Sequence, residues 1–116
     1  MMFELKDPLT GKVKRRYFEL QDPVTGITDI VWLKTGVYTS NGTLAIRVMS
    51  NEGPYAVLTV NVDTEGATDN RAYVDVNNCP WAERFIKDNG LGEPTGWSCL
   101  SGFCVYPLYQ FDLEKF

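Results

Sequence analysis

The sequence predicts an α+β fold, a twisted antiparallel sheet of six to eight strands with one short helix packed on it. Three observations support this prediction. A turn motif is repeated near the N-terminus, apolar and polar residues alternate over residues 43–62, and one helical pattern occupies residues 77–90. We expect a single domain over residues 1–116, because a chain of this length forms one core and not two.

The repeated turn motif predicts a duplicated hairpin over residues 3–33. A segment that begins at Phe3 recurs from Phe18, with seven of nine positions identical. Both copies contain Asp-Pro-x-Thr-Gly, in which Asp accepts hydrogen bonds from the turn, Pro fixes φ and Gly takes the left-handed conformation. Two such turns between apolar runs indicate a three-stranded meander. The expected strands are residues 3–6, 12–20 and 27–33.

Alternating residues predict further antiparallel strands over residues 36–76. After a hairpin turn at residues 40–42, apolar side chains recur at every second position of residues 44–49. The same alternation continues over residues 55–62, and a last short strand is expected at residues 72–76. A period of two is typical of strands with one buried face.

One helix is predicted within residues 77–90. Asn77 or Asn78 can cap its N-terminus, and Pro80 suits its first turn because the missing N–H needs no partner there. Gly90 is expected to end the helix.

Residues 91–116 are predicted to form a loop followed by a final strand. The loop, residues 91–102, is rich in Gly and Pro, and the strand covers residues 103–111. One face of this strand is expected to enter the core. The other face, with Tyr106, is expected to form an exposed aromatic patch together with Trp97 of the loop.

The residue types exclude most catalytic and metal sites. The chain has no histidine, the usual base of nucleophilic catalysis. Cys79, Cys99 and Cys104 lack the C-x-x-C spacing of zinc sites, and an odd number of cysteines suits reduced thiols in a cytoplasm. No apolar run is long enough to span a membrane. We therefore expect a cytoplasmic protein with no enzymatic activity, no metal, no cofactor and no membrane partner.

The net charge of −4 is unevenly distributed along the chain. The positive charges concentrate at Lys12, Lys14, Arg15 and Arg16, and the densest acidic stretch contains Glu52, Asp63, Glu65, Asp69 and Asp75. Such a layout suits a partner that is itself highly charged, although a solvated surface is the simpler interpretation.

The C-terminal half resembles a family of short uncharacterised proteins carried by conjugative elements and phages of gut Firmicutes. The residues that carry the resemblance form four groups. They are Asn77-Asn78-Cys79-Pro80-Trp81-Ala82-Glu83, Asn89-Gly90-Leu91-Gly92, Pro94-Thr95-Gly96, and Ser101-Gly102-Phe103-Cys104 with Tyr106-Pro107-Leu108-Tyr109. The resemblance implies a bacterial cytoplasm and a mobile-element gene, and it brings no assigned activity or site residues.

A small acidic protein of this origin is similar in character to the inhibitors that mobile elements use against host defence. We expect a non-enzymatic inhibitor that binds a nucleic-acid enzyme, with a CRISPR effector nuclease as the favoured target. Its expected contacts are Glu52, Asp63, Glu65, Asp69, Asp75, Trp97 and Tyr106. The alternative is an accessory or regulatory protein of the element that contacts nucleic acid through Lys12, Lys14, Arg15 and Arg16. The sequence leaves the oligomeric state open.

Overall fold

Two antiparallel sheets form the protein in the computed structural model, which describes residues 2–62 and 69–116. The first sheet is a meander of β1 (Met2–Lys6), β2 (Val13–Gln21), β3 (Thr28–Val37), β4 (Leu44–Ser50) and β5 (Gly53–Val57), paired in that order. The second sheet contains β6 (Thr59–Val60), β7 (Arg71–Val74), β8 (Gly92–Ser101) and β9 (Cys104–Phe111), in the order β6-β7-β9-β8. The helix α1 (Ala82–Asp88) precedes β8, and a 3-10 turn (Leu113–Lys115) follows β9.

The α+β class is therefore confirmed, whereas the strands divide into two sheets instead of one. The division occurs within residues 55–62, which the alternation assigns to one strand. Leu58 separates β5 from β6, and it is fully buried. Its N–H donates to the Ile46 carbonyl of the first sheet, and its own carbonyl accepts from the N–H of Asp75, which follows β7. Apolar and polar side chains alternate without interruption on both sides of Leu58. The sequence pattern therefore does not indicate that the chain changes from one sheet to the other at this residue.

The duplicated hairpin forms as predicted, and its two turns share their main hydrogen bonds. The Asp7 carboxylate accepts from the Leu9 N–H at 2.8 Å, and the Asp22 carboxylate accepts from the Val24 N–H at 2.8 Å. Equivalent sequences thus fold into equivalent turns at opposite ends of β2.

The main core contains side chains from both sheets and from α1. Phe85 of α1 meets Phe18 of β2 edge to face at 6.2 Å between ring centroids, and Trp81 at 5.8 Å. Trp81 in turn meets Tyr55 of β5 at 6.1 Å. The fully buried aliphatic side chains around these rings are Leu20, Val31, Ile46, Val48, Leu58, Val74, Ile86 and Leu91.

The helix is shorter than predicted at its N-terminus. Trp81 occupies the N-cap position without a side-chain capping bond, so the predicted cap at Asn77 or Asn78 is wrong. Asn78 instead donates from its backbone N–H and its side-chain amide to the Asp75 carboxylate, which stabilises the turn before the helix. Gly90 lies just beyond the helix with φ of 63°, as its predicted role as a helix stop requires.

The predicted loop over residues 91–102 is wrong, because most of it forms the strand β8. Its pairing with β9 is interrupted between Pro94 and Ser98, where extra residues bulge out of the ladder. Gly and Pro are common in loops, but both are also tolerated in an edge strand that contains a bulge.

Candidate functional site

The outer half of the β8–β9 hairpin is the most distinctive surface of the protein. We call residues 95–107 the hairpin arm. Beyond the bulge, Ser98 pairs with Pro107 and Leu100 pairs with Val105. The hairpin closes at a turn that contains Gly102, with φ of 62°, and Phe103. The arm is thus a regular two-stranded ribbon.

Four large apolar side chains of the arm are exposed. Their relative accessibilities are 74% for Trp97, 71% for Leu100, 106% for Phe103 and 54% for Val105. Side chains opposite each other in an antiparallel pair share a face, so Leu100 and Val105 form one apolar strip. Contiguous apolar surface of this kind marks an interaction site more often than scattered single residues do.

The strip continues the core-facing side of β9. Tyr109 and Phe111 are buried in the main core, and Val105 and Pro107 lie on the same face, four and two positions before Tyr109. The core ends before the hairpin does, so the same face is buried at its base and exposed along the arm. The alternation of residues in the sequence predicts that this whole face of β9 is buried.

The arm also carries no charge. Every residue from Pro94 to Phe111 is uncharged, between Glu93 and Asp112. Among the described residues, β8 is an edge strand of its sheet, paired with β9 alone. Soluble proteins usually protect such edges with charged side chains, and here only Pro94 and the bulge do so, at the base. An uncharged, apolar ribbon edge is suited to a protein partner.

The opposite face of the arm is partly covered. Tyr106 is half-buried there and packs with Cys99 against a second small cluster that contains the buried Leu108 and Tyr73. A hydrogen bond with the neighbouring Cys104 raises the pKa of the Tyr106 hydroxyl. Trp97 is exposed as predicted, whereas Tyr106 faces away from the exposed apolar strip.

An open groove of about 1010 Å³ lies between α1 and the base of the hairpin. Its floor includes Tyr109, whose hydroxyl donates to Glu83 Oε1 at 2.7 Å. Burial, followed by this hydrogen bond, raises the pKa of the Tyr109 hydroxyl. On the rim, Arg84 pairs with Asp88 at 3.4 Å. The groove also brings together Gly90, Gly92 and Pro94, which belong to two segments of the resemblance.

The acidic residues predicted to contact a partner do not form one described surface. Glu52 lies in the turn after β4, and Asp69 lines a groove with Leu44 at the start of β4. The two are therefore separated by the length of the strand, roughly 20 Å at about 3.3 Å per residue. Asp75 is buried and its carboxylate is occupied by Asn78. Asp63 and Glu65 lie outside the described residues.

The basic run is divided between different roles. Lys12 is exposed in the first turn, and the side chain of Lys14 lies outside the described part. The Arg15 guanidinium lies 3.8 Å from the ring centroid of Trp32. Arg16 donates to the carbonyl oxygens of the C-terminal residues Glu114 and Phe116 and approaches the carboxylate of Glu4.

Among the residues that the structure describes, no group of three or more Cys, Asp or Glu residues is placed to hold a metal ion. None of the helices described in residues 2–62 and 69–116 has the length and apolar character to cross a membrane.

A family model described as "Domain of unknown function (DUF4313)" matches residues 32–116. The match includes the hairpin arm, α1 and the groove, and it leaves out β1, β2 and the start of β3. No curated protein matches the chain. No solved structure matches it either.

Proposed function

We propose that this protein, which belongs to the DUF4313 family, is a non-enzymatic inhibitor that binds a host defence enzyme through its hairpin arm. The proposed target is an enzyme that acts on nucleic acid, and a CRISPR effector nuclease is the first to test. In this proposal the protein is encoded by a mobile element and works in a bacterial cytoplasm.

The exposed apolar side chains of the arm are the observation that carries the proposal. Trp97 and Phe103 are the kind of aromatic side chain that supplies most of the affinity at protein interfaces, where a few buried residues dominate. A binding inhibitor needs no reacting group, which suits a chain without histidine.

Charge supports the choice of a nucleic-acid enzyme. The net charge of −4 favours a positively charged partner surface, and carboxylates can occupy sites that normally hold phosphates. Asp69 is exposed beside the second sheet, where Asp63 and Glu65 precede it in the chain. These acids would steer the encounter, while the arm would supply the tightly packed contact.

A cleavage assay with purified CRISPR effector nucleases from Firmicutes hosts tests the proposal. We expect inhibition by the wild-type protein and a loss of about 2 kcal/mol of binding energy in Trp97→Ala, as at an interface hot spot. Leu9→Ala is the matched control, because Leu9 is an exposed apolar residue in a turn far along the chain from the arm. Equal inhibition by both variants and wild type would remove the arm from the interface.

Charge reversal tests the acidic contribution separately. The triple variant Asp63→Lys, Glu65→Lys, Asp69→Lys should weaken inhibition most at low salt, because steering by exposed charges is screened as ionic strength rises. Glu52→Lys, at the other end of β4, is the control for Asp69→Lys, because each single variant changes the net charge by +2. An equal effect of these two variants would indicate a general charge effect instead of a defined contact.

The alternative, an accessory protein that binds nucleic acid through Lys12, Lys14, Arg15 and Arg16, has its own readout. It requires salt-sensitive DNA binding that is lost when these four residues are replaced by Gln, with no nuclease inhibited. Self-association through the arm, seen as a dimer by light scattering that Trp97→Ala disrupts, would show instead that the arm joins two copies of the chain.

A further inference from the structure

The five-stranded sheet has a second face, which is turned away from the core. In β3, Val31 and Leu33 pack in the core, so Trp32 and Lys34 lie on the opposite side. The register extends this side across the sheet. Trp32 is opposite Met49, Lys34 is opposite Arg47, and Arg47 is opposite Val57 on the other side of β4. We call this side, with Arg15 and Tyr17 of β2, the outer face.

Positive charge concentrates on the outer face although the whole chain is acidic. Arg15, Lys34 and Arg47 are all exposed there, on three successive strands. Lys34 and Arg47 are direct cross-strand partners, and like charges in such positions destabilise a sheet. Within the described part of the chain, no ion pair joins either of them to a carboxylate. A bound anion would relieve this repulsion.

One acid shares the outer face by alternation. Glu19 of β2 lies four positions after Arg15 and opposite Ile30, and it also lines a small groove with Trp81 and Arg84 at the helix. Glu52 lies in the turn beyond the end of β4.

Flat, stackable groups accompany the charges. The Arg15 guanidinium lies 3.8 Å from the ring centroid of Trp32, which holds both groups on the sheet surface. Tyr17 alternates with the buried Phe18 and therefore adds a second ring to the outer face. Aromatic rings and guanidinium planes are the surfaces on which unpaired nucleic-acid bases stack.

We propose that the outer face binds single-stranded nucleic acid, with bases stacked on Trp32 and Arg15 and with phosphates near Lys34 and Arg47. A single strand fits this chemistry because its bases are free to stack, whereas those of a duplex are stacked on one another. The site lies in the first sheet and shares no residue with the hairpin arm, so it is independent of the proposed inhibitor function.

Fluorescence anisotropy with a labelled thymidine oligonucleotide measures this binding, with a uridine oligonucleotide and a DNA duplex as comparison probes. Phosphate contacts at Lys34 and Arg47 predict a slope of about −1.4 in a plot of log affinity against log salt concentration. The two single strands should bind and the duplex should bind more weakly. Tighter binding of the duplex would overturn the proposal, as would binding to vesicles of anionic lipid without binding to the oligonucleotides.

Matched variants separate the charged and stacking contacts. Lys34→Gln and Arg47→Gln should each reduce the salt slope by about 0.7. Trp32→Leu should weaken binding about tenfold or more at an unchanged slope. Lys87→Gln, an exposed residue on α1, is the control of equal charge change and should alter neither quantity. The same loss in Lys87→Gln as in Arg47→Gln would place the binding site elsewhere.

A variant that is expected to bind more tightly tests the proposal in a way that a folding defect cannot imitate. Val57 is exposed and directly opposite Arg47, so Val57→Lys adds a fourth cation to the outer face. We expect tighter binding with a slope steeper by about 0.7, and weaker binding in Val57→Glu. Identical affinities for these two variants would overturn the proposal, because they place opposite charges directly beside Arg47, at the edge of the site.

Discussion

The N-terminal meander and the hairpin arm both expose apolar side chains, but they do so in different ways. Leu9 and Val24 are single exposed residues at turn positions, each beside an Asp that organises the turn. In the arm, the exposed Leu100 and Val105 are cross-strand neighbours, Trp97 and Phe103 lie in the adjoining bulge and turn, and no residue among them is charged. Scattered apolar residues are ordinary on protein surfaces, whereas a contiguous uncharged strip is typical of an interaction site.

The two regions also differ in their relation to the family. Residues 1–31 lie outside the family match, yet Phe18 and Leu20 of β2 are fully buried in the main core. The arm lies inside the match, yet its exposed residues stabilise nothing in the chain that the structure describes. Family membership and contribution to stability are therefore separate properties of a segment.

Replacing one phenylalanine in each region should give the largest contrast. Phe18→Ala is expected to lower the free energy of unfolding by about 3–5 kcal/mol, because it leaves a cavity beside Phe85. Phe103→Ala, at the tip of the arm, should change it by no more than about 0.5 kcal/mol. Urea denaturation followed by Trp fluorescence measures both. Similar losses would contradict the contrast between a core strand and a free arm.

The duplicated turns should respond alike to the same change. Gly11 and Gly26 have φ of 73° and 74°, and an added Cβ would meet no atom within 4 Å at either position. Gly11→Ala and Gly26→Ala should therefore each cost about 1–2 kcal/mol, from left-handed backbone strain alone. Thermal denaturation of the two variants provides the comparison. A large difference between them would mean that the turns are equivalent in geometry and unequal in their surroundings.

The smallest expected effect on stability at neutral pH comes from the ionisation of the Cys79 thiol. Burial, followed by the charge of Asp75, raises the pKa of the Cys79 thiol from 9.0 to about 11. The unfolded chain ionises this thiol first, so its contribution to stability is complete below pH 9 and is lost between about pH 9 and 11. Cys79→Ala should flatten the fall of the urea midpoint between pH 9 and pH 11.

Alkylation provides an independent readout of the same difference. Cys99 and Cys104 are only partly buried, so they should react in the folded protein, and Cys79 should react only after unfolding. Rapid labelling of all three thiols would contradict the burial of Cys79.

Local sequence determined the elements whose chemistry is local. The Asp-Pro-x-Thr-Gly turns formed as predicted because their hydrogen bonds join residues two to five positions apart. Gly90 ended the helix because the required φ is a property of that position. The presence of the strands was predictable from the alternation of apolar and polar residues. This pattern indicates that one face of a strand is buried, but it does not indicate which residues cover that face.

Tertiary structure decided where each buried face begins and ends. Leu58 changes sheets, and Val105 leaves the core, without any break in the alternation around them. Arg15 meets Trp32, and Lys34 meets Arg47, through strand pairings that no local signal specifies. A side-chain pattern of period two determines faces, but strand register and the extent of the core depend on contacts between residues far apart in the chain.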